Sequence, residues 1–448
     1  MRIYKDTVKS FLITLGAIAL LGLAGFALGS WLLRPKAVQE PARQVYQPKV
    51  SYPNGPITLT YWRTVDGAAV FEPILKKWSQ YHPNVTIQIT NIALADYDKK
   101  LAEAANSGKL PDMFMLRSDW VPRYKARLSA APKEVFGKDE YKSTFAEVVS
   151  NDLIVGDDIK AVAYGVPTLG LFYNADLYQQ AGLEKAPTNW QQLLDANSKL
   201  VKKSGNGLLG SGIALGTAQV SNASSIMPLL MMQNGAVMTN TPPTEATFQK
   251  PSPDNYPSSP KALDFYTSFA KPDKSSYSWS DGFGDSTQAF IGGKTAMMID
   301  YPYRYLSIKA QVPNLNFKMA KVPQVNESSP LNYTEYWAEG VSTSSKYPEV
   351  AWDFYNFMTS YDIMNMYSVP TMKPASRLDL AKAQEQDTVI GPFAAQVPTA
   401  RSYYKGSNYQ SDAAILEMIN SSLAGFDSAI AVRVASDKVS ASIKQFPY

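Results

Sequence analysis

The sequence has 448 residues, 45% of them hydrophobic and 18% charged, and its formal net charge at pH 7 is +4. This length exceeds what one hydrophobic core usually organises, so we expect two lobes or domains. The small net charge argues against a nucleic-acid-binding surface. Cysteine is absent and His82 is the only histidine, which excludes thiol nucleophiles, disulfides and Cys/His zinc sites.

The amino terminus contains an uncharged, mostly apolar segment. Residues 10–33 are long enough to cross a bilayer as a helix, which takes about 20 residues. A cleaved signal peptide is the alternative, but the apolar run continues beyond the small residues near Ala24 where cleavage would occur. We therefore predict a cytoplasmic segment over 1–9, a transmembrane anchor over 10–33 and an extended linker over 34–55.

Strand and helix patterns alternate after the linker. Apolar residues recur with the period of a strand over 57–61 and 85–89, and a helical pattern lies between them over 70–81. A second helix is predicted over 97–105, before a short apolar strand over 113–116. This order predicts an α/β fold whose sheet has parallel strands.

The later part of the sequence continues with helix signals and one proline-rich insertion. Thr188 and Gln191 have the spacing of a capping box, which predicts a helix beginning there. Residues 241–260 are polar and rich in proline, as in an exposed excursion. An apolar run over 295–299 predicts a buried strand, and Asp427 is expected to cap the last helix.

Aromatic and charged side chains follow three of the predicted strands. In open α/β sheets, ligands bind at the carboxyl ends of the strands, so these side chains are candidates for one site. They are Trp62, Arg63, Asp66, Arg117, Ser118, Asp119, Trp120, Asp300, Tyr301, Tyr303 and Arg304. Indole and phenol rings pack against the apolar faces of sugars, whereas carboxylates and guanidinium groups bind hydroxyls. The pattern therefore favours a cleft for a polyol.

Several longer motifs carry a family resemblance. In chain order they are ITLTYW, HPNVTI, SGKLPDMFML, YGVPTLGLFYNADLYQQAGLEKAPTNWQQL, AFIGGKTAMMID, KVPQ and SKYPEVAWDFYNFM. In these motifs, residues 56–446 resemble family 1 of the extracellular solute-binding proteins, the group that includes maltose-binding protein. The resemblance implies a two-lobed type II periplasmic-binding-protein fold, with hinge crossings between the lobes.

The resemblance also implies how the chain is divided between the lobes. The first lobe would consist of residues 56–168 and 321–357, and the second lobe of residues 169–320 and 358–448. The crossings are expected near Pro167–Gly170, Val322–Pro323 and Phe357.

Three further ligand contacts, Thr168, Trp337 and Tyr409, come from the resemblance alone. The predicted ligand-binding residues are then Trp62, Arg63, Asp66, Arg117, Ser118, Asp119, Trp120, Thr168, Tyr301, Tyr303, Trp337 and Tyr409. Thr168 departs from relatives that have a carboxylate or an aromatic residue nearby, so the resemblance predicts a saccharide and no particular sugar.

The predicted function is that of a receptor for an ABC importer. The protein would be a single-pass membrane protein and a monomer, and its extracytoplasmic lobes would close on a carbohydrate. The permease and ATPase must be other chains, because the sequence has no GxxxxGK[ST] phosphate-binding loop. We predict no catalytic residue, cofactor or metal site, and no nucleic-acid partner.

Two other functions remain open from the sequence. Asp66, Asp119 and Glu339 could supply the carboxylates of an extracytoplasmic glycoside hydrolase. The adjacent phenols in Tyr403–Tyr404 resemble the paired tyrosines of ferric-ion receptors, and phenolate oxygens suit iron. The acidic segment Asp281–Asp285 is interpreted as a helix-capping turn rather than a calcium loop.

Overall fold

The computed structural model describes residues 45–205 and 207–448. The predicted cytoplasmic segment 1–9 and the predicted anchor 10–33 lie outside the described residues, as does the first half of the predicted linker 34–55. Within the described ranges, no helix combines the length and the apolarity that crossing a membrane requires.

Strands and helices alternate along the described chain. The strands are β1 (Ile57–Arg63), β2 (Val85–Asn91), β3 (Met113–Arg117), β4 (Ile154–Val155), β5 (Asp158–Ile159), β6 (Gly170–Asn174), β7 (Lys202–Ser204), β8 (Gly207–Ile213), β9 (Thr295–Asp300), β10 (Phe317–Lys321), β11 (Asn332–Tyr333), β12 (Trp337–Val341) and β13 (Ala400–Arg401). The α-helices are α1 (Ala68–Tyr81), α2 (Leu94–Asn106), α3 (Val121–Tyr124), α4 (Lys138–Thr144), α5 (Glu147–Leu153), α6 (Ala175–Gln180), α7 (Trp190–Leu200), α8 (Ala223–Gln233), α9 (Ser258–Ser268), α10 (Ser286–Ile291), α11 (Arg304–Gln311), α12 (Pro348–Met358), α13 (Tyr361–Thr371), α14 (Leu378–Gln384), α15 (Gly391–Ala394), α16 (Asn408–Leu423) and α17 (Ser428–Gln445).

Two separate sheets organise the fold. The first has the order β12-β3-β1-β2, in which β1 is parallel to β2 and β3 while β12 is antiparallel to β3. The second has the order β10-β6-β9-β8-β7 and is mixed, because β6 runs antiparallel to both β9 and β10. Since β6 leads the chain away from the first crossing, β8, β9 and β10 point back towards it. The prediction of parallel strands therefore fits β1, β2 and β3 of the first sheet. It is wrong for the second sheet, in which parallel and antiparallel pairs are mixed.

Each sheet has its own hydrophobic core. The first core contains β1, β2, β3 and β12 with α1, α2, α12 and α13, and the second contains β6, β9 and β10 with α8, α9, α16 and α17. Core residues change from one cluster to the other over 166–169, 333–336 and 381–403. The chain thus crosses between the two lobes at these three places.

The second and third crossings differ from the predicted ones. Val322 lies in the second core, because β10 still pairs with β6 up to Lys321. Phe357 lies in the first core, because α12 and α13 both cover the first sheet. The hydroxyl of Tyr355 on α12 donates to the carbonyl of Gly340 on β12, at 3.1 Å. Residues 358–381 therefore pack with the first lobe and not with the second.

A buried glutamine joins the crossings. Gln396 is 2% exposed, and its Nε2 donates to the hydroxyl of Thr168 and to the carbonyl of Leu169, each at 2.9 Å. Its Oε1 accepts from the backbone N–H of Val322, also at 2.9 Å. One amide thereby satisfies buried polar groups of the first crossing, the end of β10 and the third crossing.

Candidate ligand-binding cleft

A cleft of about 540 Å³ lies where residues from both lobes and the crossings meet. The residues that follow β1, β3 and β9 reach this cleft, as expected for the carboxyl ends of strands. The lining is formed by Val65, Asp66, Gly67, Val70, Leu94, Arg117, Tyr164, Gly165, Pro167, Tyr301, Tyr303, Leu306, Glu335, Tyr336, Trp337, Glu339, Tyr367, Pro370, Thr371 and Lys373.

Four charged residues of the first lobe are here called the inner charge cluster: Asp66, Glu339 and Lys373 line the deep side of the cleft, and Arg63 lies behind them. The ammonium of Lys373 donates to both carboxylate oxygens of Asp66, at 2.7 and 2.6 Å. The fully buried Arg63 donates to Glu339 at 2.8 Å, and the hydroxyl of Tyr61 donates to the same carboxylate at 2.6 Å. Two cations and two carboxylates thus neutralise each other, as buried charges require.

The two carboxyl groups of this cluster respond differently to burial. Burial alone would raise the pKa of Asp66, but Lys373 and Arg63 hold it below its usual value. Burial raises the pKa of Glu339 in spite of its bond with Arg63. Asp66 is therefore ionised at neutral pH and strongly engaged by its ammonium partner.

The backbone at Asp66 is unusual. Its φ of 64° lies in the left-handed region, which few residues other than glycine, asparagine and aspartate adopt. The hydroxyl of Tyr367 on α13 donates to the carboxylate at 2.5 Å and, with Lys373, holds this conformation. Strained backbone of this kind concentrates at functional sites.

Aromatic rings of the second lobe form the opposite side of the cleft. Tyr301 and Tyr303 stack with ring centroids 5.6 Å apart and an interplanar angle of 13°. Tyr301 is buried, whereas Tyr303 is 40% exposed and Leu306 beside it on α11 is 42% exposed. This wall is an apolar platform of a size that matches one face of a sugar ring.

A second group of charges, here called the bridging charge cluster, consists of Arg117, Glu335, Lys405 and Asp412. Arg117, at the end of β3, donates to Glu335 at 3.1 Å. The buried Lys405 donates to the other oxygen of Glu335 and, at 2.8 Å, to Asp412 on α16. Although burial would raise the pKa of Glu335, Lys405 and Arg117 hold it far below its usual value. The cluster therefore joins the first sheet, the second crossing and the second lobe.

A side chamber of about 270 Å³ continues the cleft, with which it shares Leu94, Arg117 and Trp337. Trp337 on β12 lies edge-on to Trp120, with ring centroids 5.8 Å apart. Tyr409 is 87% exposed at the outer end of the chamber. The chamber adds the rings of Tyr97, Trp120 and Tyr409 to those of the main cleft.

Seven of the predicted site residues come together in these two spaces. Asp66, Arg117, Tyr301, Tyr303 and Trp337 line the main cleft. Arg117 and Trp337 also line the side chamber, in which Trp120 and Tyr409 are their neighbours.

The other five predicted residues lie elsewhere, which corrects their assignment to the cleft lining. Arg63 is fully buried behind Glu339. Thr168 is fully buried in the first crossing, where its hydroxyl accepts a hydrogen bond from Gln396. The side chain of Trp62 packs against the first core. Ser118 and Asp119 line a separate pocket of about 160 Å³.

This small pocket contains Asp152 of α5, a partly buried residue whose carboxyl group is bonded to hydroxyls. The hydroxyl of Ser402 donates to both of its oxygens at 2.8 Å, and the hydroxyl of Tyr336 donates at 2.9 Å. Burial raises the pKa of Asp152 to about 7. Tyr403 and Tyr404 line the same pocket, and burial raises the pKa of both phenols, which opposes the ionised state that binds iron.

The sequence reasoning missed Lys373, Tyr367 and Glu335. Lys373 follows α13 and is 307 residues from Asp66, so neither periodicity nor strand position indicates it. The available signal was Gly165 of the GVP motif, because glycine marks close approach of another backbone. A Cβ at Gly165 would lie 2.9 Å from the Cβ of Lys373.

Comparison with known proteins identifies the family. The family described as bacterial extracellular solute-binding protein matches residues 73–389, which is more than half of the chain. The chain belongs to this family. Its folded part accordingly lies outside the cytoplasm.

Individual relatives of this solute-binding protein are distant. A putative binding protein of Brucella abortus is 22% identical over 341 residues, which is 74% of this chain and 79% of the relative. A putative ABC transporter periplasmic-binding protein of Escherichia coli is 27% identical over 167 residues, 34% of this chain and 35% of the relative. The cyclic alpha-maltosyl-1,6-maltose binding protein of Arthrobacter globiformis superimposes with a TM-score of 0.73 at 21% identity, over 87% of this chain and 100% of that one. These matches establish the two-lobed α/β fold of solute-binding proteins.

Proposed function

We propose that this solute-binding protein is a non-enzymatic receptor that captures a carbohydrate in its cleft and delivers it to an ABC importer. The observation that carries the proposal is the pairing of two unlike walls. A stacked tyrosine platform on the second lobe faces a network of buried charges on the first lobe. A sugar ring has the same two faces, since its C–H groups are apolar and its hydroxyls donate and accept hydrogen bonds.

The charges of the cleft favour an uncharged solute. In the inner charge cluster, Lys373 is already bonded to Asp66 and Arg63 to Glu339. In the bridging charge cluster, Arg117 is bonded to Glu335. A phosphate or a carboxylate would have to displace one of these partners, whereas a hydroxyl can bond to a paired carboxylate without breaking the ion pair.

Each proposed contact has a distinct role. Tyr303 and Trp337 offer ring faces to the solute, and Tyr301 supports Tyr303 from behind. Asp66 accepts hydrogen bonds from hydroxyls, and Arg117 donates to them. When the lobes close around the crossings, both walls contact the solute at once, and the importer recognises the closed form.

The importer partner, the monomeric state and the membrane anchor complete the proposal. The E. coli relative that is named as an ABC transporter component supports the importer, and the Arthrobacter protein that is named for an oligosaccharide supports the solute class. An anchor at 10–33 would raise the concentration of the receptor next to the permease.

A ligand screen tests the solute class. We expect maltose, lactose, mannobiose or another saccharide to raise the thermal midpoint, by stabilising the folded state about 2.7 kcal/mol when the ligand is at 100 times its Kd. A dipeptide, spermidine and phosphate serve as unlike solutes. If one of these unlike solutes shifts the midpoint and no saccharide does, the carbohydrate assignment is wrong.

A matched pair of variants then locates the site. Tyr303→Ala should weaken saccharide binding about tenfold, because it removes one stacking face, while Tyr256→Ala, at an exposed tyrosine of the second lobe, should leave binding unchanged. Isothermal titration measures both. Chromatography of the recovered sugar checks the absence of catalysis, because shortened products that disappear in Asp66→Asn would support the glycoside hydrolase.

A further inference from the structure

Residues 45–52, here called the N-terminal strap, pack on the first lobe, in contrast to the extended linker predicted for 34–55. Tyr46 is 6% exposed and belongs to the first core. The strap lies against α12 and the carboxyl-terminal end of α1. The folded unit therefore begins well before β1.

The strap supplies most of the hydrogen bonds of a buried carboxylate. Asp353 on α12 is fully buried. The hydroxyls of Tyr46 and Tyr52 donate to its Oδ2 at 2.7 and 2.6 Å, and the backbone N–H of Lys49 donates to its Oδ1 at 3.1 Å. Asn356, one turn further along α12, donates the fourth described bond at 3.1 Å. If the strap left this place, a buried carboxylate would lose three of its four donors.

Ring packing reinforces these bonds. Tyr46 meets Phe357 and Tyr81 edge-on, with centroid distances of 5.1 Å in both pairs, and Tyr52 stacks on His82 at 4.2 Å. The Nε2 of His82 lies 2.7 Å from the hydroxyl oxygen of Tyr46. Since the single hydroxyl hydrogen of Tyr46 goes to Asp353, Nε2 must carry a hydrogen and donate it to this oxygen. The described partners of the strap thus belong to the first lobe.

We propose that the strap is a built-in joint that fixes residues 45–52 to the first lobe alone. The second lobe is then the one that moves relative to the strap when the lobes close around a solute. The proposal is independent of which solute binds.

Proteolysis of the full-length protein in detergent micelles tests the joint. The double variant Tyr46→Phe/Tyr52→Phe keeps both rings and removes both hydroxyl donors to Asp353. Trypsin cleavage after Lys49, followed by mass spectrometry of the fragment that begins at Val50, should be at least about tenfold faster in this variant than in the wild type. Tyr256→Phe is the matched control and should be cleaved at the wild-type rate. Unchanged cleavage within the second lobe verifies that the double variant is folded.

A distance measurement provides the second readout. Because the sequence has no cysteine, spin labels at Gln47→Cys and Lys346→Cys report only the separation of the strap from an exposed site of the first lobe. We expect one narrow distance distribution, which broadens when the two Tyr→Phe changes are added. The proposal is overturned if the wild-type distribution is as broad as that of the double variant, or if wild-type Lys49 is cleaved as fast as in that variant.

Discussion

The inner and bridging charge clusters border the same cleft but connect different parts of the molecule. The inner charge cluster draws its members from the first lobe, where Lys373 after α13 meets Asp66 after β1. The bridging charge cluster begins on β3 with Arg117 and ends on α16 with Asp412. The ion pairs of the inner charge cluster therefore stabilise one lobe, whereas the similar ion pairs of the bridging charge cluster stabilise the junction of the two lobes.

This difference separates fold stability from lobe movement. Charges confined to the first lobe keep their geometry when the lobes move, so they present the solute with a fixed surface. Charges shared between lobes have to accommodate any rotation about the crossings, so their strength contributes to the balance between open and closed forms. The predictions below are arranged to separate these two roles.

The largest effect is expected for the cation shared by two carboxylates in the bridging charge cluster. Lys405→Met leaves the partly buried Glu335 and Asp412 without their shared ammonium and should lower the free energy of unfolding by about 4 kcal/mol. Urea denaturation measures the change. Lys438→Met is the control, because Lys438 is exposed and pairs with Glu417 at the surface, so it should cost less than about 0.5 kcal/mol. Equal losses in the two variants would contradict the buried role of Lys405.

A somewhat smaller loss is expected in the inner charge cluster. Lys373→Met leaves Asp66 without its ammonium partner and should cost about 3 kcal/mol. Lys382→Met, at an exposed ion pair with Glu385, is the control.

Hydrogen exchange sharpens the contrast between the two clusters. Lys373→Met should speed exchange in β1 and α13 of the first lobe, whereas Lys405→Met should speed exchange in the crossings and α16. If both variants gave the same exchange map, the separation into an inner and a bridging cluster would be wrong.

The carboxyl group of Asp152 lies outside both clusters and is bonded to hydroxyls rather than cations, so it tests how much the cations matter. The folded-state pKa of Asp152 is about 7, above its usual 3.8. Its stabilising contribution is therefore fully present below about pH 3.8 and is lost as the pH rises through 7. Between about pH 5 and 7.5, the wild type should lose about 2 kcal/mol relative to Asp152→Asn. Denaturation at both pH values measures the difference, and parallel pH curves would refute it.

Local features of the fold were predictable from the sequence. The apolar runs at 113–116 and 295–299 are β3 and β9, because a buried strand needs no contact with distant residues to be recognised. Asp427 caps α17 by accepting from two backbone N–H groups, as predicted. The capping box was misplaced by one residue, since Asn189 caps α7 and Gln192 bonds back to Thr188.

Non-local features of the site were less predictable. Thr168 lies within the motif that begins YGVPT, but its hydroxyl accepts a hydrogen bond from Gln396, which is 228 residues away. The third crossing was predicted at Phe357, although α12 and α13 form one helical layer over the first sheet. The ends of predicted strands indicated one residue of several contacts, such as Asp66 after β1. The other residue, such as Lys373, is brought there by tertiary packing and could not be read from the sequence.

The left-handed backbone at Asp66 affects how substitutions at this position should be interpreted. Alanine would remove the carboxylate and also impose a torsional cost of about 1–2 kcal/mol, because its Cβ is unfavourable at a φ of 64°. Glycine removes the same carboxylate without that cost, and asparagine keeps both the shape and the torsion. The difference between the alanine and glycine variants would therefore measure conformational energy stored on the deep side of the cleft, separately from its charge.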